Sequence, residues 1–436
     1  MGIFILRSGF IGQVRSLFLP CQVMDRLLNI SGCQQRLPTS SGVGKLELSS
    51  QDKFLAIDSK NDSGVVIYQV EPAGLVAPNF ISVGYGDGFT PASKVTELKF
   101  LPNEKQIALV IENAFIQIRD IESTNVVSQF QFAELEEKAN AEPEGVPVGQ
   151  FVIAGRPEPQ SRIQTFWSKS KITLIFSPSG AELAIVQRPV MKQETTEIAI
   201  YKVDTGELIQ NISGEYIAFS PKGDEIAVGL KDGEVSIWAL ENSVYQRKTI
   251  LDRFEAYDDY KYFNAQIDNG DYLQYSPDGN YLAAMGVYMW RKDSSHGDIL
   301  GVVQLFQTSN YQRLLQIEDS VPTSETRLMS TKQRTYNLGH HYIFNFDGER
   351  IFWIVDSWPT SVGLSVSNMS SGRTEVSPPV SLYAKEWDLE GNLVAENEFV
   401  TSPYLVSEFV DVVVSSKNDL VISMSDAAQV QTWDLR

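Results

Sequence analysis

Cysteine is almost missing from this chain: Cys21 and Cys33 are the only two in 436 residues. A disulfide framework is therefore excluded as the source of stability. Histidine is limited to His296, His340 and His341, which leaves little material for zinc sites or Ser/His/Asp chemistry. His340 and His341 are neighbours on a predicted strand, so they fall on opposite faces and cannot share one ion. Basic charge is also short, with 36 Lys and Arg against 55 Asp and Glu and a net charge of −19. Such a field repels phosphate backbones and anionic lipid, which excludes general nucleic-acid or membrane-surface binding. No run of about 18 apolar residues occurs, so no transmembrane helix is expected. Phosphate loops, zincin motifs and the nucleophile elbow are missing as well. GYGDGF, from Gly84, has Phe89 where a dinucleotide-binding loop needs its last glycine and reads as a turn, and Asp268–Asp271 lack the spacing of a calcium loop. The chain is accordingly expected to carry no catalytic residue, no metal site and no cofactor, and to reside in the cytoplasm.

What is present is apolar and aromatic. Hydrophobic residues make up 43% and aromatic residues 11%, with 22 Phe, 17 Tyr and 7 Trp, a bias toward β-structure. Three segments are nearly superimposable: ITLIFSPSGAELAIV from Ile172, YIAFSPKGDEIAVGL from Tyr216 and YLQYSPDGNYLAAMG from Tyr272. Each reads as strand, Ser-Pro-x-Gly turn, strand; proline presets φ near −65° and glycine permits the positive φ that reverses the chain. Looser copies start at Leu46, Glu97, Tyr342 and Val412, with turns placed at Ser49, Leu101, Asn345 and Ser415. A third, alternating strand follows each hairpin, among them EIAIYKVD from Glu197, EVSIWALE from Glu234 and LYAKEWDL from Leu382. A short turn and a fourth strand usually come next.

Seven repeats of four short antiparallel strands form the pattern of an all-β, seven-bladed β-propeller. The chain resembles WD40-repeat proteins in Trp387-Asp388 and Trp433-Asp434 at the ends of third strands and in Gly339-His340 at the opening of a repeat. Most repeats lack these pairs, and the Ser-Pro-Asp-Gly turn is shared with propellers of the TolB type, the second resemblance. The WD40 resemblance covers residues 24–436, read as one domain. It implies a non-catalytic protein-interaction scaffold and gives His340 a structural role. The first 23 residues, apolar with Arg7 and Arg15 and no acid, read as a disordered extension or as an upstream start before Met24. The last repeat ends after its third strand, so a strand from the N-terminus is expected to complete it and close the ring. Residues 26–31 match Leu208–Ser213 in sequence and are expected to pair with 429–435.

Strand alternation places the first-to-second and third-to-fourth turns on one side, and these are short apart from Pro72 to Asn79. The long segments 133–170, 251–270, 318–340, 287–299 and 357–380 fall on the other side, where repeat proteins bind their partners. Aromatic and cationic residues in these segments are the expected anchors: Arg162, Trp167, Tyr257, Tyr260, Tyr262, Phe263, Tyr288, Trp290 and Arg291. The acidic field points to a protein partner with a basic patch. The competing reading is a propeller enzyme or small-ligand binder acting at the central channel.

Overall fold

A computed structural model describes residues 33–36, 43–59, 64–71, 74–83, 95–111, 114–131, 171–188, 196–230, 233–252, 260–262, 273–291, 297–320, 342–357, 381–400, 409–415, 420–425 and 429–434. Every regular element among them is a β-strand. The strands form seven open antiparallel sheets, six of four strands and one of five. In chain order the first six span 43–82, 95–131, 171–213, 216–250, 260–320 and 342–400. The seventh combines 409–434 with Cys33–Arg36. In five of the seven sheets consecutive strands are neighbours, so the chain meanders from one edge to the other; in the fifth two short strands share one partner, and in the seventh Cys33–Arg36 joins strands from the far end of the sequence.

The Ser-Pro-x-Gly repeat builds the first turn of the third, fourth and fifth sheets. Ser177, Ser220 and Ser276 are buried, and each hydroxyl accepts the amide N–H five residues on: Glu182 at 3.0 Å, Glu225 at 3.3 Å and Tyr281 at 2.9 Å. The serine thus satisfies a backbone donor that the turn would otherwise leave unpaired. Gly180, Gly223 and Gly279 take positive φ there, and in the first two sheets Asp52 and Glu104 occupy the same left-handed conformation. Proline and glycine also mark where neighbouring sheets meet. A Cβ at Gly180 would lie 3.6 Å from Pro102, one at Gly279 3.6 Å from Pro221, and one at Gly348 3.2 Å from Pro277.

The core lies between sheets rather than within any one of them. Leu98 and Phe100 of the second sheet pack with Ala56 and Ile67 of the first. Ile172 and Leu174 of the third pack with Val110 and Ile118 of the second, and Ile217 and Phe219 of the fourth with Val186 and Ile200 of the third. The largest cluster joins the fourth, fifth and sixth sheets around Trp353 and Trp387. Each fully buried aliphatic side chain contributes about 1.5–3 kcal/mol, so a sheet stripped of its neighbours would lose most of what holds it. The first strands carry this stacking from sheet to sheet. Val43–Leu48 lies against Val95–Phe100, then follow Lys171–Phe176, Tyr216–Phe219, Leu273–Tyr275, Tyr342–Phe346 and Phe409–Val414, and the last lies against Val43–Leu48 again.

Four expectations need correction. The strand that pairs with Gln429–Asp434 is Cys33–Arg36, in the register Cys33↔Thr432 to Arg36↔Gln429; residues 26–31 lie outside the described residues. The sixth sheet turns at Asp347 rather than Asn345, because its loop is shorter, and the Asp347 carboxylate takes the serine's place by accepting the N–H of Glu349 and of Arg350. Most of Pro72 to Asn79 is strand, since Gly74–Ser82 pairs with Gly64–Glu71, with a register shift that accommodates one extra residue on the second strand. The fifth sheet is larger than a four-stranded blade, as described next.

Candidate functional site

The fifth sheet departs from its neighbours at the end opposite the Ser276 turn. Its second and third strands, Tyr281–Arg291 and Gly297–Gln307, are 11 residues each, about 35 Å of strand at ~3.3 Å per residue. The first strand is split: Leu273–Tyr275 pairs with Ala284 to Leu282, while Tyr260–Tyr262 pairs further along the same edge with Trp290 to Tyr288. Segments expected as loops, 287–299 and part of 251–270, are therefore strand, and the second-to-third connection shrinks to 292–296. The physical reason is that Leu300, Ile299 and Asp298 continue the ladder opposite Tyr288, Met289 and Trp290 without a break.

This extension brings together candidate residues that are distant in sequence. Tyr260 stands directly opposite Trp290, and Tyr262 opposite Tyr288. Because strand positions alternate between faces, positions 260, 262, 288 and 290 share one face of the pair, and Lys261 and Met289 share the other. Arg291 closes the ladder opposite Gly297. Arg162, Trp167, Tyr257 and Phe263 lie outside the described residues, as do His296, His340 and His341.

The first strands carry a second polar feature, which sequence reasoning missed. Lys45 pairs with Glu97, and Lys99 with Glu47 at 2.8 Å, two rungs of opposite polarity between the first and second sheets. On the other side of the stack Gln274 donates to Asn345 at 2.9 Å and accepts the Phe346 N–H, while Asn345 donates to the Ser415 carbonyl. The signal was present in the strings Lys45-Leu-Glu47 and Glu97-Leu-Lys99, whose charges are complementary at matching positions of consecutive repeats. Among the described residues no group of three or more His, Cys, Asp or Glu is placed to hold a metal ion. No described helix is long and apolar enough to cross a membrane.

On the short-turn side, tyrosines link neighbouring sheets. Tyr245 of the fourth sheet donates to Glu182 of the third at 2.6 Å. Tyr311 of the fifth donates to Glu225 of the fourth, which also holds Lys248 at 2.6 Å. The Tyr275 and Tyr68 hydroxyls are buried with no hydrogen-bond partner among the described residues. Burial pushes the Tyr68 phenol up to about 12. Burial raises Tyr245 and Tyr311 too, followed by their hydrogen bonds to Glu182 and Glu225, and it raises Tyr275, where Tyr311 and Glu225 add to the shift. An unfolded tyrosine ionises near pH ~10. The folded phenols hold their protons above that value, so the stability they contribute is fully present below pH ~10 and is lost as pH rises beyond it. Tyrosinate absorbance during alkaline titration should consequently appear in step with unfolding, and Tyr245→Phe should shallow the alkaline loss. Ionisation of every tyrosine near pH 10 in a chain that remains folded would contradict these placements.

The third-strand ends explain the fragmentary WD pattern. At the register shift between third and fourth strands stand Tyr68, Arg119, Tyr201, Trp238, Phe306 and Trp387, all buried or half-buried. Trp238 Nε1 donates to Ser236 at 2.9 Å, and Arg119 Nε donates to Gln117 at 2.9 Å in the same place. Asp388, after Trp387, accepts the N–H of Asn392 and of Glu390, and Asp120 accepts those of Ser123 and Glu122. The aspartate's role here is to cap the third turn, which hydrogen bonds alone can enforce. In comparison with known proteins, the chain matches no family model and its sequence finds no match among curated proteins.

Proposed function

We propose that the chain is a seven-bladed β-propeller of WD40-like character, and that it acts as a non-catalytic scaffold binding a protein partner through the side that carries the long connections. Seven antiparallel sheets, first strands contiguous from Val43–Leu48 round to Phe409–Val414, and a last sheet completed by Cys33–Arg36 support the ring. The observation that carries the function is the extension of the fifth sheet. By strand direction, residues 132–170, 321–341 and 358–380 leave their sheets from the same end as this extension, which gathers Tyr260, Tyr262, Tyr288 and Trp290. Tyrosine and tryptophan contribute large contact area at low entropic cost, and a rigid stack of sheets holds them so that little freedom is lost on docking.

The net charge of −19 favours a partner with a basic patch and faster encounter at low salt. A small-ligand site at the channel is the weaker reading, because the four charged side chains on the first strands of the first two sheets neutralise one another in Lys45–Glu97 and Lys99–Glu47. Affinity capture with the wild type, a Tyr260→Ala/Trp290→Ala variant and a Leu393→Ser control on an outer strand tests the proposal. The same partner should be recovered by wild type and control and fall at least tenfold with the double variant. Equal recovery by all three would overturn it.

A further inference from the structure

We propose that the cleft between the first turns of the fourth and fifth sheets binds an alkylammonium group, held by the Asp224 carboxylate and the Tyr275 hydroxyl. The site lies on the short-turn side, so it is independent of the scaffold reading above. The two turns abut: a Cβ at Gly279 would lie 3.6 Å from Pro221. Asp224 and Glu225 close the Ser220 turn, Tyr275 immediately precedes the Ser276 turn, and Tyr311 of the fifth sheet reaches across to donate to Glu225. Both proposed contacts depart from the repeat. Where the fifth sheet has Tyr275, the second, third, fourth and sixth have Phe100, Phe176, Phe219 and Phe346. At the position of Asp224 the other two Ser-Pro-x-Gly turns carry Ala181 and Asn280. The fold thus needs only a ring at 275 and no carboxylate at 224.

The acceptors in the cleft are unequally engaged. Glu225 is fully used, taking Tyr311 on one oxygen and Lys248 on the other at 2.6 Å. Asp224 is exposed; one of its oxygens accepts Ser220 at 2.7 Å, and it forms no ion pair among the described residues. Tyr275 is 7% exposed, and its hydroxyl has no hydrogen-bond partner among the described residues. Burial raises the Tyr275 phenol, and Tyr311, Glu225 and Asp224 add to the shift, which sets the hydroxyl beside them. A carboxylate and a buried phenol oxygen exclude an anion and call for a donor. The same cleft shows which kind. The Lys248 ammonium rests on Glu225 with its nitrogen 5.2 Å from the centre of the Tyr311 ring, a carboxylate and a phenol together holding an alkylammonium. Asp224 and Tyr275 form a second such pair. An ammonium brings three donors and needs no acceptor in return, so one group satisfies both. A guanidinium seeks both oxygens of a carboxylate, and Ser220 already occupies one of those on Asp224. A single open carboxylate is also too little for calcium or magnesium, which gather several oxygen ligands.

Ligand-observed NMR line broadening with the full chain tests the site. The probes are Nα-acetyl-lysine amide and cadaverine, with Nα-acetyl-arginine amide and Nα-acetyl-norleucine amide for comparison. Both amines should broaden, and their affinity should fall about fivefold or more in Asp224→Asn and in Tyr275→Phe, the effect of one lost hydrogen bond. Asp204→Asn, at an exposed carboxylate in the third turn of the third sheet, should bind as wild type does. Tyr275→Phe keeps the ring that four other sheets use, so matching thermal melts separate lost contact from lost fold. The arginine amide should bind more weakly than the lysine amide, and the norleucine amide should not bind. Tighter binding of the lysine amide than of cadaverine supports a polypeptide lysine as the source of the group, and the reverse order supports a free amine. No broadening by either amine, unchanged affinity in Asp224→Asn or in Tyr275→Phe, or equal binding of the arginine or norleucine amide would each overturn the site.

Discussion

Gly301→Ala is expected to destabilise the protein by about 3 kcal/mol or more, the upper range for overpacking a core. A Cβ at position 301 would fall 1.5, 2.2 and 2.4 Å from three carbons of the Trp353 ring. Trp353 cannot step aside, because it is 2% exposed and sits in the cluster shared by the fourth, fifth and sixth sheets, with Trp387 at a ring separation of 6.0 Å. Relief from replacing a strand glycine is worth only about 0.5–1 kcal/mol, so the clash decides the sign. Trp353→Ala removes the obstacle but leaves a cavity costing about 3–5 kcal/mol. Gly301→Ala combined with Trp353→Leu should therefore be more stable than the sum of the two single changes implies, with a coupling of about 1–3 kcal/mol. Urea unfolding of the four proteins measures it. A Gly301→Ala chain as stable as wild type would mean that the fifth and sixth sheets do not meet at this point.

Removing residues 1–36 is expected to split the unfolding transition, and to do so beyond any effect of removing residues 1–31. The longer deletion takes away the strand that pairs residue by residue with Gln429–Asp434. At about 1 kcal/mol for each of the four paired positions, the direct loss is ~4 kcal/mol. The larger consequence is cooperative: the seventh sheet is left with three strands and an open edge, a template for intermolecular pairing. An early transition in calorimetry, accompanied by aggregation, is the expected signature. The shorter deletion keeps Cys33–Arg36 and separates this pairing from the closure that the sequence of 26–31 suggested. If both truncated chains melt as the full chain does, Cys33–Arg36 contributes nothing to the last sheet.

The parts of the fold legible in the sequence are those where side-chain chemistry is obligatory. Ser177, Ser220 and Ser276 must accept a particular amide, and the glycine three residues later must take positive φ, so these turns read directly. The alternation of Ile198 and Ile200, or of Leu46 and Leu48, marks strands because one face meets a neighbouring sheet. Cys33–Arg36 was not legible, since an edge strand is specified mainly by its backbone and tolerates almost any sequence. Leu27-Leu28-Asn29-Ile30 resembles the fourth strand from Leu208, and that likeness outweighed the true pairing. The fifth-sheet extension is not legible because its 11-residue strands outrun the length that the repeat sets elsewhere. Tyr260, Tyr288 and Trp290 were found as candidates for their residue type, but their register on a common face depends on a pairing that spacing alone does not reveal.

The N-terminal strand completes the last sheet, in the register that sets Cys33 opposite Thr432. Thr432→Cys in a Cys21→Ser background tests it directly, because a disulfide requires the two Cα atoms to lie within about 7 Å. Mild oxidation should link the new cysteine to Cys33, seen as one cross-linked peptide pair by mass spectrometry. Tying the two ends of the fold together should also raise the melting temperature, since closing so long a loop can contribute up to about 6 kcal/mol by chain entropy. Gln431→Cys, one position away and on the opposite face, should leave Cys33 free. No link with Thr432→Cys, or equal linking with Gln431→Cys, would contradict the pairing and the closure built on it.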